Sequence, residues 1–403
     1  MKRRMLPISV LQLWAGPLPK EELFPDRKIN PVLHWFIHPV KRHLAKYYLF
    51  LLKSFFGLKV VAVTGSSGKT TTSNLLYEVL SRDGKTVKTA DSVTTTYNLP
   101  TTILRCTPNT RYLILEMGVE YRGDMNFYTW LAKPNIALLL NVSSVHSSFL
   151  GSTSDIFSEK SKLLLSLPAN GMAVINADDP EINFSHNSQT LMFGSTPDCF
   201  TKIISAALTK DLQTRFTFKI TGKNHSYVLP TIGTHLASNL AGVLTVFNIL
   251  SVPEKHIISG LSKFRDPPHR LNIHRSKAGQ IIIDDAYNAN PLSTAASLKN
   301  FIDVCRITKK TPVFIFAQMN ELGSYERSSH EEIGRLIKKL HIKHVFTLGK
   351  ATALTIRTGG VGRYFDTFTD LQSAVQKFIT TDHCVLIKGS NSWHLETLVP
   401  KLL

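Results

Sequence analysis

Residues 58–82, LKVVAVTGSSGKTTTSNLLYEVLSR, set a short apolar run, a glycine-bearing turn and an amphipathic segment in immediate succession. The run at 58–63 is of the kind buried in a parallel sheet. The segment at 70–82 carries Leu75, Leu76, Val79 and Leu80 on one helical face, with Gly84 just past its end. A strand that feeds a helix through such a turn belongs to an open α/β sheet. The same turn aims backbone N–H groups and the positive end of a helix dipole at one point, where a phosphate binds. In Thr64-Gly65-Ser66-Ser67-Gly68-Lys69-Thr70-Thr71, Lys69 is the lysine expected on the β- and γ-phosphates, and Thr70 offers a hydroxyl to Mg²⁺. The common spelling G-x-x-x-x-G-K-[ST] would put a glycine at Val63, so this loop is a variant.

The alternation continues along the chain. Residues 112–118, 135–142 and 171–180 are further short apolar runs, 185–230 are polar and strand-like, and 235–250 form a helical pattern. FRDPPHR at 264–270 reads as a linker, and four more strand-like runs with intervening helices follow it. The fold predicted is α/β, a central P-loop doubly wound domain plus a C-terminal Rossmann-like domain, with a short helical N-terminal extension. The expected boundaries are 1–57, 58–266 and 267–403.

Composition narrows the function. Of 403 residues, 43% are hydrophobic and 19% charged, an ordinary globular balance without repeats or low-complexity tracts. The net charge of +18 favours anionic partners, but no nucleic-acid module accompanies it, so no nucleic acid is expected. Cys106, Cys199, Cys305 and Cys384 are too scattered for a zinc site or a disulfide framework, and read as buried reduced thiols. The start, MKRRMLPISVLQLWAG, is basic and then apolar, but shorter than a signal peptide needs. No run approaches the roughly 18 apolar residues of a spanning helix. Residues 38–57 predict a helix after Pro39 in which Lys41, Arg42, Lys46 and Lys53 interrupt an apolar surface. Such a helix packs on the next domain or rests on acidic lipid.

The motifs taken in order resemble the Mur ligase family, ATP-dependent amide-forming enzymes of peptidoglycan assembly. They are TGSSGKTT (64–71), ILEMG (114–118), NVSSVHSSFLGS (141–152), EKSKLLLSLPANGMAVINADD (159–179), GTHLASNLAG (233–242), RLNIH (270–274), IIDDAYNANPLS (282–293), MNELGSYERSSHEEIG (319–334) and VLIKGS (385–390). Within the family, D-D-x-Y-N-A-N-P together with M-x-E-L-G is most similar to the branch that adds D-alanyl-D-alanine to a muramoyl peptide. The resemblance implies ATP and Mg²⁺ at two sites, and a reaction through an acyl phosphate that an amine then attacks. It implies that Thr70, Glu116, His146 and Lys160 hold metal, with Lys160 carbamylated by CO₂; Lys162 competes for that position. It also implies nucleotide contacts from Gly65, Ser66, Ser67, Gly68, Lys69, Thr70 and Thr71, from Asn176, His235 and Asn239, and from Arg270, Asp285 and Tyr287. Lys69, Lys160, His146 and Glu116 would be catalytic. Lys388 either meets an acidic group of the substrate or is a plain surface lysine.

Three departures accompany the resemblance. Only 57 residues precede the loop strand, where the family carries a UDP-sugar domain; Ala317-Gln318 replaces a common Gly-Asp; and Asn391 stands where an arginine often follows. The partners expected are a nucleotide, a muramoyl-peptide-like carboxylate and an amine. The location expected is the cytoplasm, with peripheral contact at the inner membrane face through residues 38–56. The alternatives are a related ligase extending poly-γ-glutamyl or cyanophycin-like chains, an accessory ATP-binding subunit acting on a lipid-linked precursor, or a P-loop motor.

Overall fold

Side chains alternate across β1 (Lys59–Thr64): Val60 and Ala62 enter one hydrophobic layer, Val61 and Val63 the other, all fully buried. A strand apolar on both faces must be covered on both, and here it is. The computed structural model of the chain describes residues 8–24, 30–90, 95–143, 150–184, 189–276, 278–320 and 322–403. Around β1 lies a nine-stranded sheet with β2 (Thr86–Lys88), β3 (Tyr112–Glu116), β4 (Ile136–Leu139), β5 (Met172–Asn176), β6 (Gln189–Gly194), β7 (Thr201–Leu208), β8 (Thr214–Ile220) and β9 (Lys223–Leu229). Its order is β2-β3-β1-β4-β5-β6-β7-β8-β9, parallel up to β7 and antiparallel beyond.

One face of this sheet is covered by the helices Lys69–Asp83, Leu236–Ile249 and Glu254–Lys263. The other is covered by His38–Phe56, Thr95–Leu104, Asp124–Leu131 and Thr153–Leu165. After a stretch containing Pro267 and Pro268 comes a six-stranded sheet. It consists of β10 (Asn272–Arg275), β11 (Ile281–Asp285), β12 (Thr311–Ala317), β13 (His344–Leu348), β14 (Arg363–Phe365) and β15 (His383–Lys388), in the order β10-β11-β15-β12-β13-β14. Only the β10–β11 pair is antiparallel. Both sheets are thus mixed α/β sheets dominated by parallel pairs, in agreement with the fold class read from the sequence. In each, neighbouring strands lead to opposite sides of the sheet at one strand, β1 in the first and β15, between β11 and β12, in the second. Open α/β sheets bind ligands outside the carboxyl ends of strands at such points.

The amino-terminal helix His38–Phe56 ends at Gly57 in the left-handed region and buries Ala45, Leu49 and Leu52 in the core beneath it. One of its four cations departs from the pattern expected. Arg42 does not break up a surface but is buried, donating from Nη1 to the Ala15 carbonyl at 2.9 Å. Its guanidinium lies 5.7 Å from the centre of the Tyr97 ring and 5.3 Å from that of Phe127, a cation–π arrangement that offsets part of its desolvation. All four cysteines are free and buried.

Candidate active site at the interdomain cleft

The loop after β1 is held by its neighbours before any ligand is considered. Asn141, just past β4, accepts the Ser66 N–H at its carbonyl (3.0 Å) and the Ser67 N–H at its side-chain oxygen (2.9 Å). Its amide nitrogen donates back to the Ser67 carbonyl at 3.1 Å. Gly68 has φ +80°, and a Cβ there would lie 2.3 Å from Asn239 Nδ2, so both its conformation and its neighbour require glycine. The Asn239 amide donates to the Gly68 carbonyl (3.1 Å) and to Thr72 Oγ1 (2.8 Å), pinning the start of the helix. That helix has no side-chain cap, so the N–H groups of its first turn face the cleft without an intrahelical acceptor. An uncapped helix start beside a lysine is what a phosphate needs.

Lys69 folds back to donate to the Gly65 carbonyl at 2.9 Å. Burial pushes its pKa down; Glu116 opposes that shift and Arg270 adds to it. Gly118 allows this approach, since a Cβ there would sit 3.2 Å from Lys69 Cε. Thr70 Oγ1 donates to Glu116 Oε1 at 3.1 Å, so hydroxyl and carboxylate already share one end of the cavity. Glu116 is in turn fixed at the end of β3, its N–H donating to Thr89 Oγ1.

The cavity has a volume of about 770 Å³ and is lined by both domains. Ser66, Ser67, Gly68, Lys69, Thr70, Thr71, Glu116, Asn176, His235, Asn239, Arg270, Asp285 and Tyr287 all line it. Gly65 and Lys160 do not. Gly65 lies one step back in the loop, and Lys160 is buried in the helix Thr153–Leu165. His146 lies outside the described residues, as do residues 1–7 and Glu321 of the M-x-E-L-G motif. Asn176 donates to the Leu140 carbonyl at 2.9 Å and to Ser238 Oγ at 3.3 Å, which joins β5 to the helix Leu236–Ile249. The amides of Asn176 and Asn239 are therefore engaged within the protein, and what Asn239 offers the cavity is its carbonyl oxygen. His235 Nδ1 lies 2.9 Å from Asn300 Nδ2, and Asn300 Oδ1 accepts both the N–H and the hydroxyl of Thr234. Asn300 belongs to the second domain, so the two bodies meet here. The protein around the His235 ring pushes its pKa down, although one side of the ring is open to the cavity.

Asp284 and Asp285 point apart. Asp284 Oδ2 lies 2.7 Å from His269 Nδ1, whereas Asp285 Oδ2 accepts from Ser297 Oγ and from Lys388 Nζ, each at 2.5 Å. This corrects the reading of Lys388 as a surface lysine: its side chain is 2% exposed and paired. The Arg270 guanidinium stacks 4.3 Å from the Tyr287 ring centre, and the Tyr287 N–H donates to the His269 carbonyl. Ala317 ends β12, and Gln318 beside it bridges Glu326 and the Ala351 N–H. The residues that sequence reasoning missed are Asn141, Asn300 and the Lys388 pairing.

Lys160 has no hydrogen bond or ion pair among the described residues, whereas Lys162 is bound to Glu159 at 2.5 Å. Glu159 also accepts the N–H groups of Gly123 and Met125 at 3.0 Å each. Burial, with Lys69 adding to it, pushes the Lys160 pKa down to about 7, against the pull of Glu159 and Asp124. The helix that carries it starts with a capping box. Ser152 Oγ accepts the Asp155 N–H (3.2 Å) and Asp155 Oδ2 accepts the Ser152 N–H (3.0 Å). Ser152→Ala is expected to cost about 1 kcal/mol, read as a lower denaturant midpoint at unchanged slope.

Among the described residues no group of three His, Cys, Asp or Glu could hold a metal alone. Thr70 and Glu116 suit Mg²⁺ nonetheless, because that ion keeps waters and takes much of its shell from substrate phosphates.

Two domain models match the chain: the Mur ligase middle domain over residues 63–247, and the Mur ligase glutamate ligase domain over 269–391. The UDP-N-acetylmuramoyl-tripeptide–D-alanyl-D-alanine ligase of Bacillus subtilis is 29% identical, over 90% of this chain and 79% of its own length. Its namesake in Escherichia coli is 28% identical over 85% and 76%. A crystal structure of MurF from Acinetobacter baumannii superposes with TM-score 0.82 at 24% identity, covering 90% of this chain and 79% of that one. MurF ligase from Thermotoga maritima in complex with ADP gives 0.79 at 26% identity, covering 90% and 82%.

Proposed function

The chain belongs to the Mur ligase family, and from that premise we propose that it is an ATP-dependent carbon–nitrogen ligase adding D-alanyl-D-alanine to a muramoyl peptide. The observation that carries this reading is the cleft shared by the two domains. The uncapped loop with Lys69, the Thr70–Glu116 pair and the second domain's Arg270, Asp285 and Tyr287 all line it. Residues 58–266 would bind ATP, and 267–403 would gather the amine and close over it.

In the reaction proposed, a substrate carboxylate oxygen attacks the γ-phosphorus and ADP leaves. The amine then attacks the acyl phosphate carbonyl, loses a proton and expels inorganic phosphate. No side chain forms a covalent bond, so catalysis is positioning and charge stabilisation. Lys69 would turn from the Gly65 carbonyl to the phosphates, with Arg270 approaching from the other domain. Thr70 and Glu116 would hold Mg²⁺, which neutralises charge on phosphoryl oxygens. Ser66, Ser67, Gly68 and Thr71 would cradle phosphates, and Asn176, His235 and Asn239 would line the nucleotide's adenine side.

A second metal position would use His146 and Lys160, the latter as a carbamate formed from its neutral amine and CO₂ with loss of one proton. Burial of Lys160, its lack of a partner among the described residues and its pKa near 7 support this; the pairing of Lys162 with Glu159 argues against that competitor. With ¹³C-labelled bicarbonate, a carbamate resonance is expected in the wild type and absent from Lys160→Arg; no such resonance in the wild type would remove the carbamate.

The overall reading is tested by phosphate release with UDP-muramoyl tripeptide and D-alanyl-D-alanine, singly and together. Turnover that needs both supports the ligase. Turnover indifferent to either would favour the accessory or motor alternatives.

A further inference from the structure

Among the described residues, large hydrophobic side chains lie exposed at 21 positions, and 14 of these fall between Val10 and Phe56. Most lie on the helix His38–Phe56, the turn before it and the helix Ile8–Ala15, which Trp14 joins to them through the Trp35 carbonyl and the His43 ring. On the helix His38–Phe56 and the turn before it, Ile37, Val40, Leu44, Tyr47, Leu51 and Phe55 recur every three or four residues, giving a stripe on the side opposite the buried Ala45, Leu49 and Leu52. Tyr47, Phe50 and Phe55 expose 64, 63 and 74% of their surface. The preceding helix, Ile8–Ala15, adds Leu13 and Trp14, whose indole donates to the Trp35 carbonyl at 2.7 Å. A contiguous apolar surface of this kind marks an interaction site on a folded protein.

Charge identifies what covers it. From Arg27 to Tyr77 the sequence contains no aspartate or glutamate. Three lysines border the stripe on the side facing the domain. Lys41 donates to Thr101 Oγ1, Lys46 lies 4.2 Å from the Trp130 ring centre, and Lys53 donates to the Lys133 carbonyl. Ammonium groups level with aromatic rings and above an apolar stripe are the arrangement of a helix lying in a lipid headgroup layer. A second copy of the chain would bring these cations against one another with no acid on the helix His38–Phe56 to neutralise them. No helix among the described residues is long and apolar enough to cross a membrane.

We propose that the face formed by the helices Ile8–Ala15 and His38–Phe56 docks the protein on an anionic lipid bilayer, the apolar stripe entering below the headgroups and the flanking lysines meeting their phosphates. This surface lies apart from the residues that line the cleft, so the proposal stands independently of the ligase reading.

The test is co-sedimentation of the full chain with vesicles of phosphatidylcholine, alone or mixed with phosphatidylglycerol, at low and high salt. The companion variant is the triple substitution Leu44→Ser, Tyr47→Ser and Leu51→Ser. These side chains are exposed, so the variant should keep the wild-type melting temperature and its vesicle-free phosphate release. Binding to the phosphatidylglycerol vesicles is expected, weakened by salt and by about tenfold or more in the variant. Three results would overturn the proposal: no binding by the wild type, binding that the triple variant retains, or a wild-type dimer in sedimentation velocity that the variant breaks.

Discussion

Lys69→Ala is expected to lower kcat by about a hundredfold to a thousandfold while leaving the melting temperature close to that of the wild type. The two halves of this expectation have separate causes. The ammonium is the fixed cation nearest the uncapped helix start, so its loss removes charge stabilisation where the transferred phosphoryl must pass. In the nucleotide-free fold its hydrogen-bond acceptor is the Gly65 carbonyl, and burial already disfavours its charge, so removing it relieves about as much desolvation as it forfeits in bonding. Steady-state kinetics together with thermal unfolding would separate these effects. A variant that retained wild-type kcat would show that the phosphoryl group is transferred elsewhere.

The second large effect is on stability. Lys388→Met removes one member of an ion pair at 2.5 Å whose side chains are 2% and 10% exposed, and leaves Asp285 buried with Ser297 as its remaining side-chain partner. Breaking such a pair from one side costs about 3–5 kcal/mol, because the surviving charge is desolvated without compensation. Adding Asp285→Asn to Lys388→Met should recover part of this loss, since the orphaned charge is then gone. Denaturant unfolding of the four proteins of the cycle measures it. A single substitution costing less than about 1 kcal/mol would mean that water enters and solvates Asp285. The pair joins the ends of β11 and β15, which are hydrogen-bonded neighbours, so it also sets the floor of the second domain's side of the cleft.

What the sequence disclosed was mostly local. The apolar runs at β1, β3, β4 and β5 and the helix faces at 69–83 and 236–249 announce themselves because burial imposes a short period on neighbouring residues. The short strands β2, β10 and β14 have no such period: each borrows its place from a longer neighbour. The helix Thr95–Leu104 is hidden by threonines and an internal Pro100. At the site, Lys69, Thr70 and Glu116 belong to recognisable motifs, and the fold brings Thr70 and Glu116 into contact across 46 residues. Asn141 and Asn300 carry no comparable mark. Each acts on a segment more than 60 residues away, and an asparagine after a strand or within a helix looks the same whether or not it does so. Arg42 was misread for a related reason: in sequence a guanidinium suggests water, and only the Ala15 carbonyl and two aromatic rings, all distant along the chain, give it an interior place.

The measurement that tests the account most directly follows the oxygen atoms. With ATP, D-alanyl-D-alanine and UDP-muramoyl tripeptide labelled with ¹⁸O in its terminal carboxylate, one labelled oxygen should leave in each inorganic phosphate, because the carboxylate oxygen becomes the bridge of the acyl phosphate and departs with phosphorus. Label appearing in phosphate, and only when the amine is present to complete the turnover, is the result predicted. Phosphate released without label would mean that water, not a carboxylate, attacks the γ-phosphorus in this cleft, and the ligase reading would be contradicted.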